Sequence, residues 1–280
     1  MRRLEGNVDP GGRSVSQSVA RWGVVTPTLN GERFFERTLE SIWSQQSEGI
    51  RIDHVVVDGG STDRTLEIAA RYPSRVLRSE DDHGMYDAVN KGLALVEGDI
   101  VGYINADDEI APGAMEVISK VFADRPDVGW VCGKVAYVGP DDEVLGRMQP
   151  RAVSLRSYLG IGWSTIPQQT VWARRSFFDR VGPFDIDFKN CGDYDWYARA
   201  LALQPPLILH QVLGMFRLHQ GQISLDASKM ERESRMVLER HGVPGPLTWA
   251  MGRALSLRLN ASNPAWLLAK KRGRIKFTLD

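Results

Sequence analysis

The sequence predicts an α/β protein built on a mostly parallel sheet. Three observations carry this expectation. Short apolar runs alternate with segments of helical periodicity from residue 22 to residue 108. One run, Val55-Val56-Val57, is apolar at consecutive positions, as in a strand covered by helices on both faces. Three strands end in polar clusters: Thr26-Pro27-Thr28, Asp58-Gly59-Gly60-Ser61 and Asn105-Ala106-Asp107-Asp108. Ligands of open parallel sheets bind outside the carboxyl ends of the strands, so these clusters mark the expected site.

The elements follow in order. "WGVVTPTLN" (22–30) is a strand ending in a turn. "ERFFERTLESIWSQ" (32–45) sets Phe35, Leu39, Ile42 and Trp43 on one helical stripe. "IDHVVVDGGSTDRT" (52–65) is the second strand and its turn, and "DRTLEIAARY" is a helix capped by Asp63 or Thr62. "SRVLRSE" (74–80) is a shorter third strand. "GMYDAVNKGLALVEGD" (84–99) carries Met85, Val89, Leu93 and Val96 at helical spacing and stops at Gly98. "DIVGYINADD" (99–108) is the fourth strand, and Glu109 begins the exit towards the next helix.

Beyond residue 110 the pattern changes. "GAMEVISKVFADRP" reads as a helix, and "VGWVCGKVAYVG" with "DEVLGRM" as a hairpin. "SFFDRVGPFD" reads as a loop, "CGDYDWYARALAL" as a helix and "PLILHQVLGMFRLH" as a strand region. From Ser228 the chain is mostly helical and increasingly basic.

Composition excludes several classes. Lys+Arg and Asp+Glu both number 35, so no global field points to nucleic acid. Two cysteines, Cys132 and Cys191, make neither a disulfide framework nor a zinc site and suit a reducing compartment. No stretch approaches eighteen apolar residues, so no transmembrane helix is expected. Residues 1–20 read as a disordered leader without the apolar core of a signal peptide. From Trp249 onward there are seven basic residues and one acid, Asp280. That segment reads either as a solvated helix or as a patch for anionic lipid, with Trp249, Trp266, Leu267 and Leu268 dipping into the interface. A cytoplasmic location follows, on the inner face of the membrane in the second reading.

Two nucleotide signatures are absent: no GxxxxGK[ST] occurs, and no G-x-G-x-x-G follows the first strand. Adjacent Asp107 and Asp108 suit a solvated helix cap, but also a hard divalent cation, which takes few carboxylates plus substrate phosphates. In "NCGDYDWYARAL", Asp193 reads as a helix cap with Trp196 and Leu201 packing, or as a fixed carboxylate serving as general base. A lone His219 is more often structural than a ligand.

Taken together, "VVTPTLNGERFFERTLESIWSQ", "HVVVDGGSTDRT", "DHGMYDAVNKGLALVEGDIVGYINADD", "PQQTVWARRSFFDRVGPFD", "GDYDWYARAL" and "FRLHQGQIS" resemble, in order, the family 2 glycosyltransferases. The resemblance covers about residues 22–226. It implies an inverting enzyme of GT-A fold, of the kind that builds bacterial surface polysaccharide or glycolipid. The expected reaction moves a hexosyl or N-acetylhexosaminyl group from a nucleoside-diphosphate sugar, UDP-sugars being favoured, to a saccharide or lipid-linked acceptor.

The resemblance also implies roles. Thr26, Pro27, Thr28 and Glu32 would line the nucleotide pocket, and Asp58 would hydrogen-bond the base beside Gly60. Asp87 and Lys91 would lie near the nucleotide and donor sugar. Asn105-Ala106-Asp107 stands at the family's Asp-x-Asp motif. Asp107 would bind Mg²⁺ or Mn²⁺ at the diphosphate, Asp108 would be a second ligand or a group supporting that site, and His219 would approach the metal or the diphosphate. Asp193 would be the catalytic base. Gln168, Gln169, Arg174 and Trp196 would sit on the acceptor side. Three positions depart from the pattern: Asn105 and Gly192 replace common acids, and Gln168 a common His. Two other readings stay open: a nucleotide-sugar binder without turnover, and, lower in rank, a sugar nucleotidyltransferase. The expected organisation is a leader (1–20), a catalytic domain (21–226, nucleotide half 21–110, acceptor half 111–226) and a helical basic extension (227–280).

Overall fold

The computed structural model describes residues 19–150, 154–162, 164–219, 222 and 227–243. Most of the expected leader and the basic segment beyond residue 243, with its tryptophans, lie outside the described residues.

The first half alternates as expected. Strand β1 (Ala20–Thr28) is followed by α1 (Phe35–Trp43), β2 (Ile50–Asp58), α2 (Thr65–Ala69), β3 (Arg75–Arg78), α3 (Met85–Leu95) and β4 (Ile100–Tyr103). β3, β2, β1 and β4 lie side by side, all parallel. Val55, Val56 and Val57 are buried, as their run of apolar positions requires. α1 buries Phe35, Thr38, Leu39 and Ile42 along one stripe. α3 crosses β1 and β2 at Gly92, where a Cβ would overlap Val25.

The second half extends the sheet and mixes its direction. It contains β5 (Glu109–Ile110), α4 (Ala114–Asp124), β6 (Trp130–Val138), β7 (Val144–Met148), α5 (Leu155–Ile161), β8 (Trp172–Arg174), α6 (Arg175–Val181), α7 (Gly192–Leu203), β9 (Leu207–Arg217) and α8 (Ala227–Arg240). The strand order is β3-β2-β1-β4-β8-β6-β9-β5, with β7 paired to β6 as the expected hairpin. β8 runs antiparallel to β4 and β6 and joins the two halves. Trp22 of β1 meets Trp172 of β8 edge to face at 4.8 Å across that seam, a geometry worth about 0.5–1.5 kcal/mol beyond the area it buries.

Three elements differ from expectation. β4 stops at Tyr103, and Asn105–Asp108 form a turn instead of a strand end. Glu109 and Ile110 do not start the exit to α4; they pair antiparallel with Met215 and Gly214 of β9. That partner lies about a hundred residues away, beyond any local pattern. Of residues 176–185, expected as loop, 176–181 lie in α6 (Arg175–Val181), which buries Phe177 and Val181 one turn apart and ends at Gly182 with φ 87°. Among the described residues, no helix is long and apolar enough to cross a membrane.

Candidate active site

The carboxyl ends of β1 and β4, the start of α7 and the residues after β9 enclose one cavity of about 930 Å³. Its walls include Pro27, Thr28, Asn105, Asp107, Asp193 and His219, drawn from four stretches of sequence.

The three consecutive carboxylates after β4 have three different fates. Asp107 faces the cavity, with 31% of its side chain exposed, and its Oδ2 lies 3.0 Å from His219 Nε2. Asp108 points inward and is 1% exposed. It accepts hydrogen bonds from Gln169 Nε2 (2.7 Å), the Arg217 backbone N–H (3.0 Å) and Asn105 Nδ2 (3.3 Å). Burial, with Asp107 adjacent, pushes its carboxyl well above the usual range. Asp108 is therefore a structural tie between the turn and β9, not the second metal ligand expected. Glu109 pairs with the buried guanidinium of Arg217, which also meets Gly139 O at 2.8 Å.

Asp193 sits in the first turn of α7 and lines the cavity. Its Oδ1 accepts from the Tyr194 N–H at 2.8 Å and from the Tyr86 hydroxyl at 3.2 Å. Burial pushes its carboxyl up to about 6 against those hydrogen bonds. Asp195, two residues on, turns away from the cavity. It is fully buried, 2.8 Å from Arg199 Nε, and also meets Arg240 and His241.

Several expected nucleotide contacts lie behind the cavity wall. Thr26 is fully buried, its hydroxyl 3.0 Å from His54 Nε2. Asp58 is also fully buried and folds back onto the N–H groups of Gly60 (3.2 Å) and Ser61 (3.1 Å). Gly60 takes φ +96° to make that turn, and Gly59, not Gly60, meets the cavity. Glu32 is exposed and accepts from the Arg64 N–H at 3.1 Å, while its neighbour Arg33 lines the cavity. Asp87 and Lys91 lie one layer back. Lys91 Nζ is 2.5 Å from Asp82 Oδ1 and 3.2 Å from Asp87 Oδ2, and Asp82 is the residue that meets the cavity. Pro27, Thr28, Asn105 and Ala106 stand in the wall as expected.

On the acceptor side, Gln168 and Gln169 are in the wall, and Gln168 Nε2 donates to Tyr103 O at 2.7 Å. Arg174 is elsewhere: it donates to Val128 O at 2.8 Å and stacks over Phe122. Trp196 is 2% exposed and packs among Trp130, Phe178 and Phe184. Both were expected near an acceptor, but Arg174 donates to backbone carbonyls around α4 and Trp196 donates to Gly182 O, away from the cavity.

Sequence reasoning passed over Asp82, Tyr86, Lys189 and Ser234, all cavity-lining. Asp82 and Tyr86 lie inside the quoted "DHGMYDAVNKG", so that motif was the available signal. Ser234 and Met230 come from α8, so the site crosses the expected domain boundary at residue 226. Among the described residues, Thr28 Oγ1, Asp82 Oδ2 and Asn105 Oδ1 are buried without a hydrogen-bond partner, and all three residues line this cavity. Unpaired buried polar atoms are costly, and a polar ligand in the cavity would satisfy these three.

Fold and site together define a GT-A glycosyltransferase, and the profile of Glycosyl transferase family 2 matches residues 23–182. The chain belongs to that family. It is 30% identical over 198 residues to an uncharacterized glycosyltransferase of Mycobacterium tuberculosis, covering 69% of this chain and 73% of that one. It is 26% identical over 218 residues to a PGL/p-HBAD biosynthesis glycosyltransferase of Mycobacterium bovis, covering 70% of this chain and 76% of that one. Among solved structures, S. aureus TarS 1–349 in complex with UDP-GlcNAc aligns with a TM-score of 0.60 at 20% identity. That alignment covers 78% of this chain and 65% of TarS 1–349, slightly under two thirds of the latter. The mannosyltransferase PcManGT of Pyrobaculum calidifontis, in complex with GDP-Man and Mn²⁺, aligns with a TM-score of 0.56 at 18% identity, covering 98% of this chain and 85% of that one.

Proposed function

We propose that the chain moves a sugar from a nucleoside-diphosphate sugar to an acceptor hydroxyl with inversion at the anomeric carbon. The observation that carries this is Asp193: a half-buried carboxylate facing the cavity, pushed up to about 6 and fixed by Tyr86 and the α7 N-terminus. A base works best when its pKa lies near the working pH. The Asp193 carboxylate takes the proton of the acceptor hydroxyl as that oxygen attacks the anomeric carbon. The C–O bond to the nucleoside diphosphate breaks on the opposite face, and the proton stays on Asp193 until solvent removes it.

The residues present fit a divalent cation held by few protein atoms. Asp107 and His219 meet at 3.0 Å at the cavity edge, and no cluster of three acidic, His or Cys ligands occurs among the described residues. A carboxylate and an imidazole suit Mn²⁺, and Mg²⁺ likewise takes one or two carboxylates plus substrate phosphates. Such an ion would supply Lewis-acid stabilisation of charge on the leaving diphosphate. The Mn²⁺ in the PcManGT complex supports this choice.

Asn105, Asp82 and Thr28, with their unpaired acceptors, bind donor hydroxyl or N–H groups in this reading. TarS was solved with UDP-GlcNAc and PcManGT with GDP-Man, so both UDP- and GDP-sugars are to be tested. The relative named for PGL/p-HBAD biosynthesis supports a role in cell-surface glycolipid or polysaccharide synthesis on a saccharide or lipid-linked acceptor. The basic segment beyond Trp249 would place the enzyme on an anionic inner membrane surface, with each basic residue adding roughly 1 kcal/mol. The deciding experiment is a thermal-shift screen of UDP-, GDP- and dTDP-sugars with and without Mn²⁺, followed by nucleoside-diphosphate release. A stabilising donor that is turned over supports the transferase. A stabilising donor with no turnover under any condition replaces it with a nucleotide-sugar binder.

A further inference from the structure

The turn that delivers Asp193 has little of its own to hold it. Cys191 stands at the N-cap of α7 and makes no side-chain capping bond. Gly192 carries no side chain, and a Cβ there would lie 2.7 Å from the Tyr86 ring. The free N–H groups ahead of α7 therefore need a partner from elsewhere.

Glu233 of α8 is that partner. It is 3% exposed. Its Oε2 accepts from three successive backbone N–H groups, those of Lys189 (3.0 Å), Asn190 (2.7 Å) and Cys191 (2.9 Å). Its Oε1 accepts from Asn190 Nδ2 at 2.7 Å. Four donors on one buried carboxylate make a strong, directional clamp. A second tie lies at the other end of α8, where Arg240 and His241 meet Asp195. Met230 and Ser234, one turn before and one residue after Glu233, line the cavity, so the clamp stands directly behind the site.

We propose that Glu233 is a positioning residue for Asp193, fixing the 189–191 turn so that the carboxylate faces the cavity and setting a second carboxylate close behind it. This rests on the reading of Asp193 as general base. The groups facing Asp193 are Tyr86 from α3, Tyr103 from β4, Tyr158 from α5, Cys191 ahead of α7, Tyr197 within α7 and Glu233 from α8. Among these, Glu233 is the carboxylate, and its charge acts in the same direction as burial, upward. Removing that charge while keeping an acceptor must lower the proton affinity of Asp193 without undoing the turn.

The test uses the full chain and two readouts. The first is an infrared difference titration of the Asp193 carboxyl, wild type against Asp193→Asn, repeated in a Glu233→Gln background. The expected midpoint is about 6 in the wild type and lower in Glu233→Gln. The second is release of UDP from UDP-GlcNAc, or of GDP from GDP-mannose, with water as acceptor and Mn²⁺ present. Glu233→Ala is expected to lose about 10²-fold in kcat, as for a misplacement of about 1 Å, with KM within about twofold. Glu233→Gln is expected to recover most of that loss at pH 8 and to retain activity to lower pH. If Glu233→Ala does not fold, Glu233→Gln and the titration decide alone. An unchanged midpoint, or a folded Glu233→Ala with wild-type kcat, overturns the proposal. Turnover by Asp193→Asn would instead overturn the base assignment, which the infrared midpoint does not depend on.

Discussion

The imidazole of His219 lies 3.0 Å from the carboxylate of Asp107, although 112 residues separate them in the chain. The contact brings the segment after β9 onto the turn after β4, at the edge of the cavity. It places Asp107, the acid of the Asp107-Asp108-Glu109 run that lines the cavity, beside the imidazole of His219, which lines it too. Asp107→Ala and His219→Ala should therefore each lose Mn²⁺-dependent binding of UDP or GDP, by about 10-fold or more, while metal-free binding stays within about twofold. Calorimetry with and without Mn²⁺ checks this. An Mn²⁺ enhancement in Asp107→Ala as large as that of the wild type would remove it as a ligand.

Asp193→Asn should lose about 10²–10⁴-fold in turnover, the usual contribution of a positioned base. Donor affinity should stay within about twofold. In the wild type, activity should fall as the pH drops through about 6, because the base must be unprotonated. The same shift has a stability sign. A carboxyl raised above its unfolded value favours the fold when protonated and loses that advantage as pH rises through 6. Asp193→Asn should therefore melt higher than wild type at pH 8, by a few degrees, and gain nothing at pH 4. Melting curves at the two pH values measure it.

Asp108 supplies the opposite case. Its carboxylate ties Gln169, Asn105 and the Arg217 backbone and has no surface at the cavity edge. Asp108→Ala should cost about 2–4 kcal/mol by leaving those donors buried and unpaired. Asp108→Asn, if folded, should keep Mn²⁺-dependent nucleotide affinity within about threefold. A selective loss of metal dependence in Asp108→Asn would return Asp108 to the metal site.

His54 is buried between the hydroxyls of Thr26 and Ser74, and burial pushes its pKa down to about 3. The unfolded chain binds a proton below about 6.5 that the fold excludes. Stability is therefore full above that pH and declines as pH falls towards 3, by at most about 1.4 kcal/mol per pH unit from this group. Urea titrations at pH 7 and pH 4.5 should show the decline, and His54→Gln should flatten it. An equal pH slope in both proteins would refute the assignment.

Much of the fold was legible because it is local. Val55–Val57 and the helical stripes sort by period alone: Phe35, Leu39, Ile42, Val89, Leu93 and Val96 are buried as their periods require, while Trp43 and Met85, at the stripe edges, are half-buried. Strand ends carrying polar clusters located the cavity, since Pro27, Thr28, Gly59 and Asn105–Asp107 meet it. The direction of each side chain was not legible. Thr26 and Thr28 stand two apart on β1 and so share one face of the pleat, yet one is held by His54 while the other meets the cavity. Arg174, Trp196 and Lys91 are chemically suited to a site, but packing decides whether their polar atoms are spent elsewhere.

The run Asp107-Asp108-Glu109 marks the division most clearly. By itself the sequence determined the class of fold, the family and the strand end that carries the acids, because periodicity and motif are properties of neighbours in the chain. Only the tertiary structure decided that Asp107 meets His219, that Asp108 is enclosed by Gln169 and Arg217, and that Glu109 pairs with a buried guanidinium. It also brought Glu233, forty residues after Asp193, to the turn ahead of α7. The physical reason is that a carboxylate's role is set by its desolvation and its donors, and those arrive from strands and helices far away in sequence.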